Sequence, residues 1–192
     1  MPSTFSLPIV AGDLQLRTLT EADFTDHARL FGMPEVVRYL YEDVLHGEEL
    51  RTHFEKRLWT GLPAEGEWAN VAVVTGDQFL GEIGFGISDA THRTCEVGYV
   101  FFPEVGGRGY ATRATEIAVQ VCFDYLDAHR VTARLDARND RSAALAERLG
   151  FRREAHYVEN EYVKGEWTDE VVYATLEHEW RARIGAHQPS RP

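Results

Sequence analysis

Cysteine is scarce in this sequence: Cys95 and Cys122 are the only two in 192 residues, and they share no C-x-x-C spacing. Two thiols are too few for a disulfide framework or a thiolate zinc site, so both are expected as small buried hydrophobes. The eight histidines include no H-x-x-x-H pair, which leaves a metal centre unsupported. Positive charge is also short. Lys and Arg number 20 against 31 Asp and Glu, a formal net charge of −11, and nucleic acid is not an expected partner because neutralising phosphates needs a basic face. An acidic surface favours cationic partners such as amines, or serves solubility alone. No apolar run reaches the length of a membrane span. The opening MPSTFSLPIVAG lacks the basic region and long apolar stretch of a secretory signal. The chain therefore reads as cytoplasmic, with no membrane partner.

What is present is ordinary globular composition, 44% apolar and 27% charged, enough for one domain with a sizeable core. The expected organisation is a leader over residues 1–13, a single domain over 14–180 and a flexible polar tail over 181–192. LQLRTL (14–19) alternates as a half-buried strand does. Thr20 caps a helix running to about Phe31, and a second helical stretch is expected from Glu35 to Trp59, interrupted near His46-Gly47. Strands follow at Trp68–Thr75, Gln78–Ser88 and Thr94–Phe102, the first two joined by a turn at Gly76-Asp77. Between Gly109 and Ala128, apolar residues recur at spacings of three and four, one stripe of a helix. RVTARLDA is a strand, and Asn139 caps a helix that Gly150 ends. Two last strands, Arg152–Val163 and Glu170–Leu176, are joined by the turn KGEW. The fold class is α/β (α+β), with a mostly antiparallel sheet of about seven strands flanked by helices.

The stretch GRGYAT (107–112) carries the first chemistry. Gly107 and Gly109 permit a tight turn that exposes consecutive N–H groups, and the helix beginning there adds its positive end. Together these suit a pyrophosphate, although a glycine-rich connector without a ligand has the same pattern. The small side chains of Ala111, Thr112 and Ala114 let another group approach. A dinucleotide fold fits poorly, because its third glycine position is Thr112 and hairpin strands precede the loop.

Three motifs in order resemble the GNAT superfamily of acetyl-CoA-dependent N-acetyltransferases. Its donor loop, R/Q-x-x-G-x-G/A, falls on Gly106–Ala111. Its N-x-x-S/A…G-F motif matches NDRSAALAERLGF (139–151). The C-terminal ENEYVKGEWTDEVVYATLEHEW (159–180) is similar to the ribosomal-protein, RimJ/RimL-type branch. The resemblance covers about Leu14 to Trp180 and implies a sheet whose fourth and fifth strands splay apart to admit acetyl-CoA. It further implies that the backbone of Val100, Phe101 and Phe102 pairs with the pantetheine arm. Gly107, Arg108, Gly109, Tyr110, Ala111 and Thr112 would hold the pyrophosphate, Asn139 would bond the donor, and Ser142 would lie near its sulfur. Two departures stand out: Gly106 occupies the usual Arg or Gln position, with Arg108 the nearest replacement charge, and Ala146 replaces a Tyr that many members use as general acid. Homodimers occur in this branch, so a homodimer is one expected state.

Acetyl transfer requires a neutral amine, a stabilised carbonyl oxygen and a proton for the departing thiolate. An α-amine, with a pKa of about 7.7–8.0, is neutral far more often near pH 7 than lysine, at about 10.4. The acceptor is therefore expected to be a primary amine, either a peptide N-terminus or a small amine; a silent acetyl-CoA-binding module is the alternative of another class. By the resemblance, Glu161 in the E-Y step is the general base, although Glu159 shares its alternation phase and Glu96 lies inside a neighbouring strand. Ser142 is the expected acid, and the N–H of Val100 or Phe101 the oxyanion donor. Tyr39, Tyr41, Trp59 and Trp68 lie in the half where the family forms its acceptor site, but core packing is the stronger expectation for each. Asp169 and Tyr173 are expected to support the last strands.

Overall fold

A computed structural model describes residues 5–58 and 61–187, so Trp59 and the segment 188–192 lie outside the described residues. Eight strands form one sheet in the order β1-β2-β3-β4-β5-β6-β8-β7. They are β1 (Ile9–Ala11), β2 (Leu14–Thr18), β3 (Trp68–Thr75), β4 (Gln78–Asp89), β5 (Thr94–Phe101), β6 (Arg130–Asp136), β7 (Arg152–Val163) and β8 (Glu166–Leu176). Among the described residues, six α-helices accompany the sheet: α1 (Phe24–Phe31), α2 (Pro34–Val37), α3 (Gly47–Glu55), α4 (Tyr110–Tyr125), α5 (Asp140–Arg148) and α6 (Glu177–His187). Every strand pairing is antiparallel except β5 with β6.

The mixed α/β fold is the expected one, with an eighth strand. Part of the expected leader pairs as β1, through Ile9 with Leu16 and Ala11 with Leu14. At the other end, the expected tail is helical as far as His187. Trp180 explains why α6 is held: its side chain is fully buried, its Nε1 donates to Gln120 Oε1 at 2.8 Å, and its ring meets Phe123 on α4. The second helical stretch is shorter than its pattern, because residues 38–46 leave helical geometry between α2 and α3. Tyr39 and Tyr41 belong to this segment, which borders a cleft instead of continuing a helix.

α4 follows its sequence stripe. Ala114, Ala118, Val121 and Cys122 are buried, and the helix packs against β4 and β5. Small side chains at Ala114 and Ala118 let it lie close to the sheet, where one larger side chain would force repacking. Cys95 on β5 and Cys122 on α4 are buried free thiols, as expected. The β7–β8 turn is tighter than KGEW: Val163 pairs with Glu166, and Lys164 and Gly165 adopt φ of 52° and 83°. Two successive positive φ values suit a two-residue hairpin of the twisted type. Asp169 accepts from the Glu159 N–H at 2.9 Å and from His156 Nε2 at 2.7 Å, while Tyr173 donates to Glu147 at 3.1 Å. Both brace the last strands.

Candidate active site

β5 and β6 pair in parallel only at Thr94–Arg130, Cys95–Val131 and Glu96–Thr132. Beyond Glu96 the strands separate, and the backbone edge of β5 is left facing the gap. Strand alternation decides which groups it offers. Phe102 N–H already donates to Leu80 O at 3.0 Å on β4. Val100, of the same parity and opposite Glu82, turns its backbone the same way, so Tyr99 and Phe101 present theirs to the gap. The expectation for Phe102 and Val100 as backbone partners of a donor is thereby corrected: β4 occupies their edge.

At the end of β5 the chain makes a single 3-10 turn (Pro103–Val105) and enters the glycine loop. Gly107 and Gly109 have φ of 77° and 76°, a region that side chains other than glycine rarely adopt, and the space where a Cβ would stand is open at both. The first backbone bond of α4 runs from Arg113 N–H to Gly109 O at 3.0 Å, so the N–H groups of Tyr110, Ala111 and Thr112 have no partner within the helix. An anion placed there meets N–H groups and the helix dipole without steric obstruction. The residues present therefore fit a pyrophosphate. Arg108 is exposed at the loop, and Arg148 of α5 donates to Thr112 Oγ1 at 3.1 Å, bringing a second positive charge to the first turn of α4.

α5 bounds the other side of the gap. Asn139 caps it, its Oδ1 accepting from Ser142 N–H at 3.1 Å, so any bond from Asn139 to a donor falls to its amide nitrogen. Ser142 is buried in the first turn. Tyr99 donates from its hydroxyl to Ser142 O at 3.3 Å. Burial is the main reason its pKa is pushed up to about 12, with the Ser142 contact and Arg148 acting against it. A protonated phenol thus stands one helical turn from Ala146, the position where a Tyr is missing. Nothing in the sequence pattern separates Tyr99 from its strand neighbours; only the splay reveals it.

The opposite face of the sheet carries a cleft of about 390 Å³, lined by seven carboxylates against two arginines. Its floor is a row of polar residues from adjacent strands, among them Asn70, Glu82, Glu96, Arg134 and Glu170. Glu170 is buried and fully engaged. Arg134 grips it with two bonds of 2.9 and 2.5 Å, Tyr41 donates from its hydroxyl at 3.0 Å, and Asn160 donates at 3.2 Å. Burial, and then the Glu170 charge, raises the Tyr41 pKa well above its usual value.

Glu161 and Glu96 also line this cleft, and among the described residues neither forms an ion pair with a basic side chain. Burial raises the Glu96 pKa, opposed by Arg134 and assisted by Glu170. A bulge distinguishes Glu161 from Glu159. The register jumps from Tyr157–Glu170 to Glu161–Thr168, and Glu159 sits in the bulge with φ 47° and an exposed side chain. Glu161 returns to the ladder opposite Thr168 and faces the cleft. The bulge thus removes Glu159 from the ladder and leaves the face of Glu161 unchanged.

Tyr39, Tyr41 and Trp68 line the cleft rather than pack in the core, with Tyr41 60% and Trp68 41% exposed. Trp68 can lie on the sheet because glycines stand beneath it: a Cβ on Gly84 would come within 3.0 Å of the indole. A further group was invisible to sequence spacing. His27 of α1 and His53 of α3 meet Glu82 of β4 in a buried chain beside the cleft.

Comparison with known proteins agrees with this fold. Residues 13–152 match the family model described as acetyltransferase (GNAT) domain. The uncharacterized N-acetyltransferase YnaD of Bacillus subtilis (strain 168) is 30% identical over 145 residues, covering 76% of this chain and 82% of that protein. A crystal structure of an acetyltransferase (GNAT family) from Bacillus anthracis superposes with a TM-score of 0.79 at 28% identity, over 90% of this chain and 99% of that one. The spermidine N-acetyltransferase from Vibrio cholerae, in complex with CoA and spermine, shares the fold with a TM-score of 0.76 at 21% identity, over 89% and 99%.

Proposed function

The chain belongs to the acetyltransferase (GNAT) family and is an acetyl-CoA-dependent N-acetyltransferase, and from that premise we propose that its acceptor is the α-amine of a protein N-terminus, with Glu161 as general base. The supporting observation is the placement of Glu161, which stays in the β7–β8 ladder opposite Thr168 and lines a cleft on the sheet beside the β5–β6 gap, whereas Glu159 is taken out of the ladder by the bulge. The RimJ/RimL-type pattern of residues 159–180 assigns the base to the same position. The lower pKa of an α-amine makes it the easier acceptor near neutral pH.

Acetyl-CoA supplies an activated acyl group and a thiolate leaving group; the chain supplies position and proton traffic. The glycine loop and the start of α4 hold the phosphates, and the exposed edge of β5 at Tyr99 and Phe101 orients the arm. Phe101 N–H is the donor for the oxygen that gathers negative charge. Glu161 would take a proton from nitrogen as the C–N bond forms, and Ser142, buried beside the Tyr99 hydroxyl, would give its hydroxyl proton to the departing thiolate and regain one from solvent. Glu96, raised in pKa and four residues before Val100, is the second carboxylate able to serve as base.

The acid-rich lining supports a second reading, acetylation of a small amine, in line with the spermidine N-acetyltransferase that shares the fold. A panel of unblocked peptides, N-terminally blocked lysine peptides and polyamines, assayed with acetyl-CoA, decides between them. Acetylation of the peptide α-amine supports the first reading. Turnover of polyamines alone replaces it with the second, and no turnover with any primary amine contradicts both.

A further inference from the structure

An alkylammonium ion must lose two protons from nitrogen to become an amide. One ends on the departing sulfur and the other leaves the site. A single base that acts as the C–N bond forms accounts for one of them. The ammonium group must shed the other before attack, and the cleft contains a carboxylate set for that step.

Glu82 stands on β4 directly opposite Val100, its side chain 4% exposed at the floor of the cleft. His27 Nδ1 donates to Oε1 at 2.5 Å, and His27 Nε2 shares a hydrogen bond of 3.0 Å with His53 Nδ1. The carboxylate requires a proton on His27 Nδ1, and His53 continues the chain behind that ring. Among the described residues, His53 Nε2 is buried without a hydrogen-bond partner. Burial, followed by Arg57, His27 and Lys56, lowers the His53 pKa to about 3, so it stays neutral. Among the described residues, the other carboxylate oxygen, Glu82 Oε2, is buried with no hydrogen bond. Its closest cation is Arg57 Nε at 3.7 Å, too long for a hydrogen bond, and Nε is itself without a hydrogen-bond partner. Glu42, 4.0 Å from His53 Nε2, completes the charged groups facing this cluster. Leaving such a buried acceptor unmet is costly, and an incoming N–H donor removes that cost.

We infer that Glu82 is the acceptor-binding carboxylate: Oε2 receives the ammonium group of the substrate amine and takes its first proton, while His27 and His53 act as positioning residues. In this step an N–H bond breaks, an O–H bond forms on Oε2, and the neutral amine remains to attack. The proton returns to solvent when product leaves, and Glu161 keeps its role in the second deprotonation. The division of labour rests on the proposed amine acetylation, but amine capture by Glu82 can be measured without turnover.

Propylammonium serves as the binding probe. In calorimetry at pH 7 the wild-type protein binds it and Glu82→Gln loses at least tenfold in affinity, with acetyl-CoA affinity equal in both. With the best acceptor of the panel, Glu82→Gln lowers kcat/KM at least tenfold at pH 7, and the deficit shrinks toward pH 9.5 as the amine becomes neutral unaided. A purely structural role would give a deficit independent of pH. His53→Gln, whose amide can still hydrogen-bond to His27, retains most activity, whereas His53→Leu loses about as much as Glu82→Gln. The downfield Nδ1–H proton resonance of His27 persists in His53→Gln. Propylammonium binding unaffected by Glu82→Gln, or a deficit equal at every pH, overturns the assignment. Failure of every panel acceptor contradicts the amine reading and leaves the propylammonium result to decide the Glu82 site.

Discussion

Thr132 Oγ1 donates to Cys95 O at 3.1 Å, a buried bond at the last turn of the ladder before β5 and β6 separate. It joins the two edges of the gap at its root. Thr132→Val keeps the shape and removes the donor, leaving a buried carbonyl short of a partner. The expected loss is about 1–2 kcal/mol, read as a Tm lowered by about 2–8 °C, with acetyl-CoA affinity weakened because the gap loses its fixed origin. An unchanged Tm would show that the bond contributes nothing to the junction.

The glycine loop gives a sharper test. Gly109 is left-handed and caps α4 beside open space. Gly109→Trp fills the anion cradle and strains the backbone, so calorimetry should show acetyl-CoA binding reduced at least a hundredfold. Far-UV circular dichroism should stay close to wild type. Retained affinity would place the phosphates elsewhere.

Glu96 yields a pH-dependent stability effect of definite sign. Its folded pKa is raised, chiefly by burial, so its charged form is the destabilised one. Between the unfolded carboxylate value, about 4.3, and the raised folded value, stability attributable to this group falls as pH rises. Above both, the loss is complete. Glu96→Gln should therefore raise Tm at pH 7, with the gain vanishing near pH 4. A gain that persists at pH 4 would mean packing, rather than charge, is responsible.

The sequence made the fold and the donor side of the site legible because both rest on local signals. Gly107 and Gly109 must take positive φ, Asn139 must cap, and the α4 stripe must face the sheet; each is written in residues close together in the chain. The acceptor side is assembled from far apart. Glu82 sits within the apolar run FLGEIGFGI, and nothing nearby says that His27 and His53, 55 and 29 residues earlier, will close around it. Tyr39, Tyr41 and Trp68 looked like core residues because their hydrophobicity is the same in either setting. Glu159 and Glu161 were indistinguishable by alternation until the bulge placed three residues of β7 against one of β8. Parity along β5 was likewise hidden: which of Val100, Phe101 and Phe102 faces the gap depends on the register with β4, a property of two strands together.

Glu161→Gln tests the account most directly. With the best panel acceptor at pH 7, kcat should fall about 100- to 1000-fold, as expected for loss of a positioned general base, while acetyl-CoA affinity measured by calorimetry stays at the wild-type value. Wild-type kcat in Glu161→Gln, with the same loss appearing instead in Glu96→Gln, would contradict the assignment and move the base from β7 to β5.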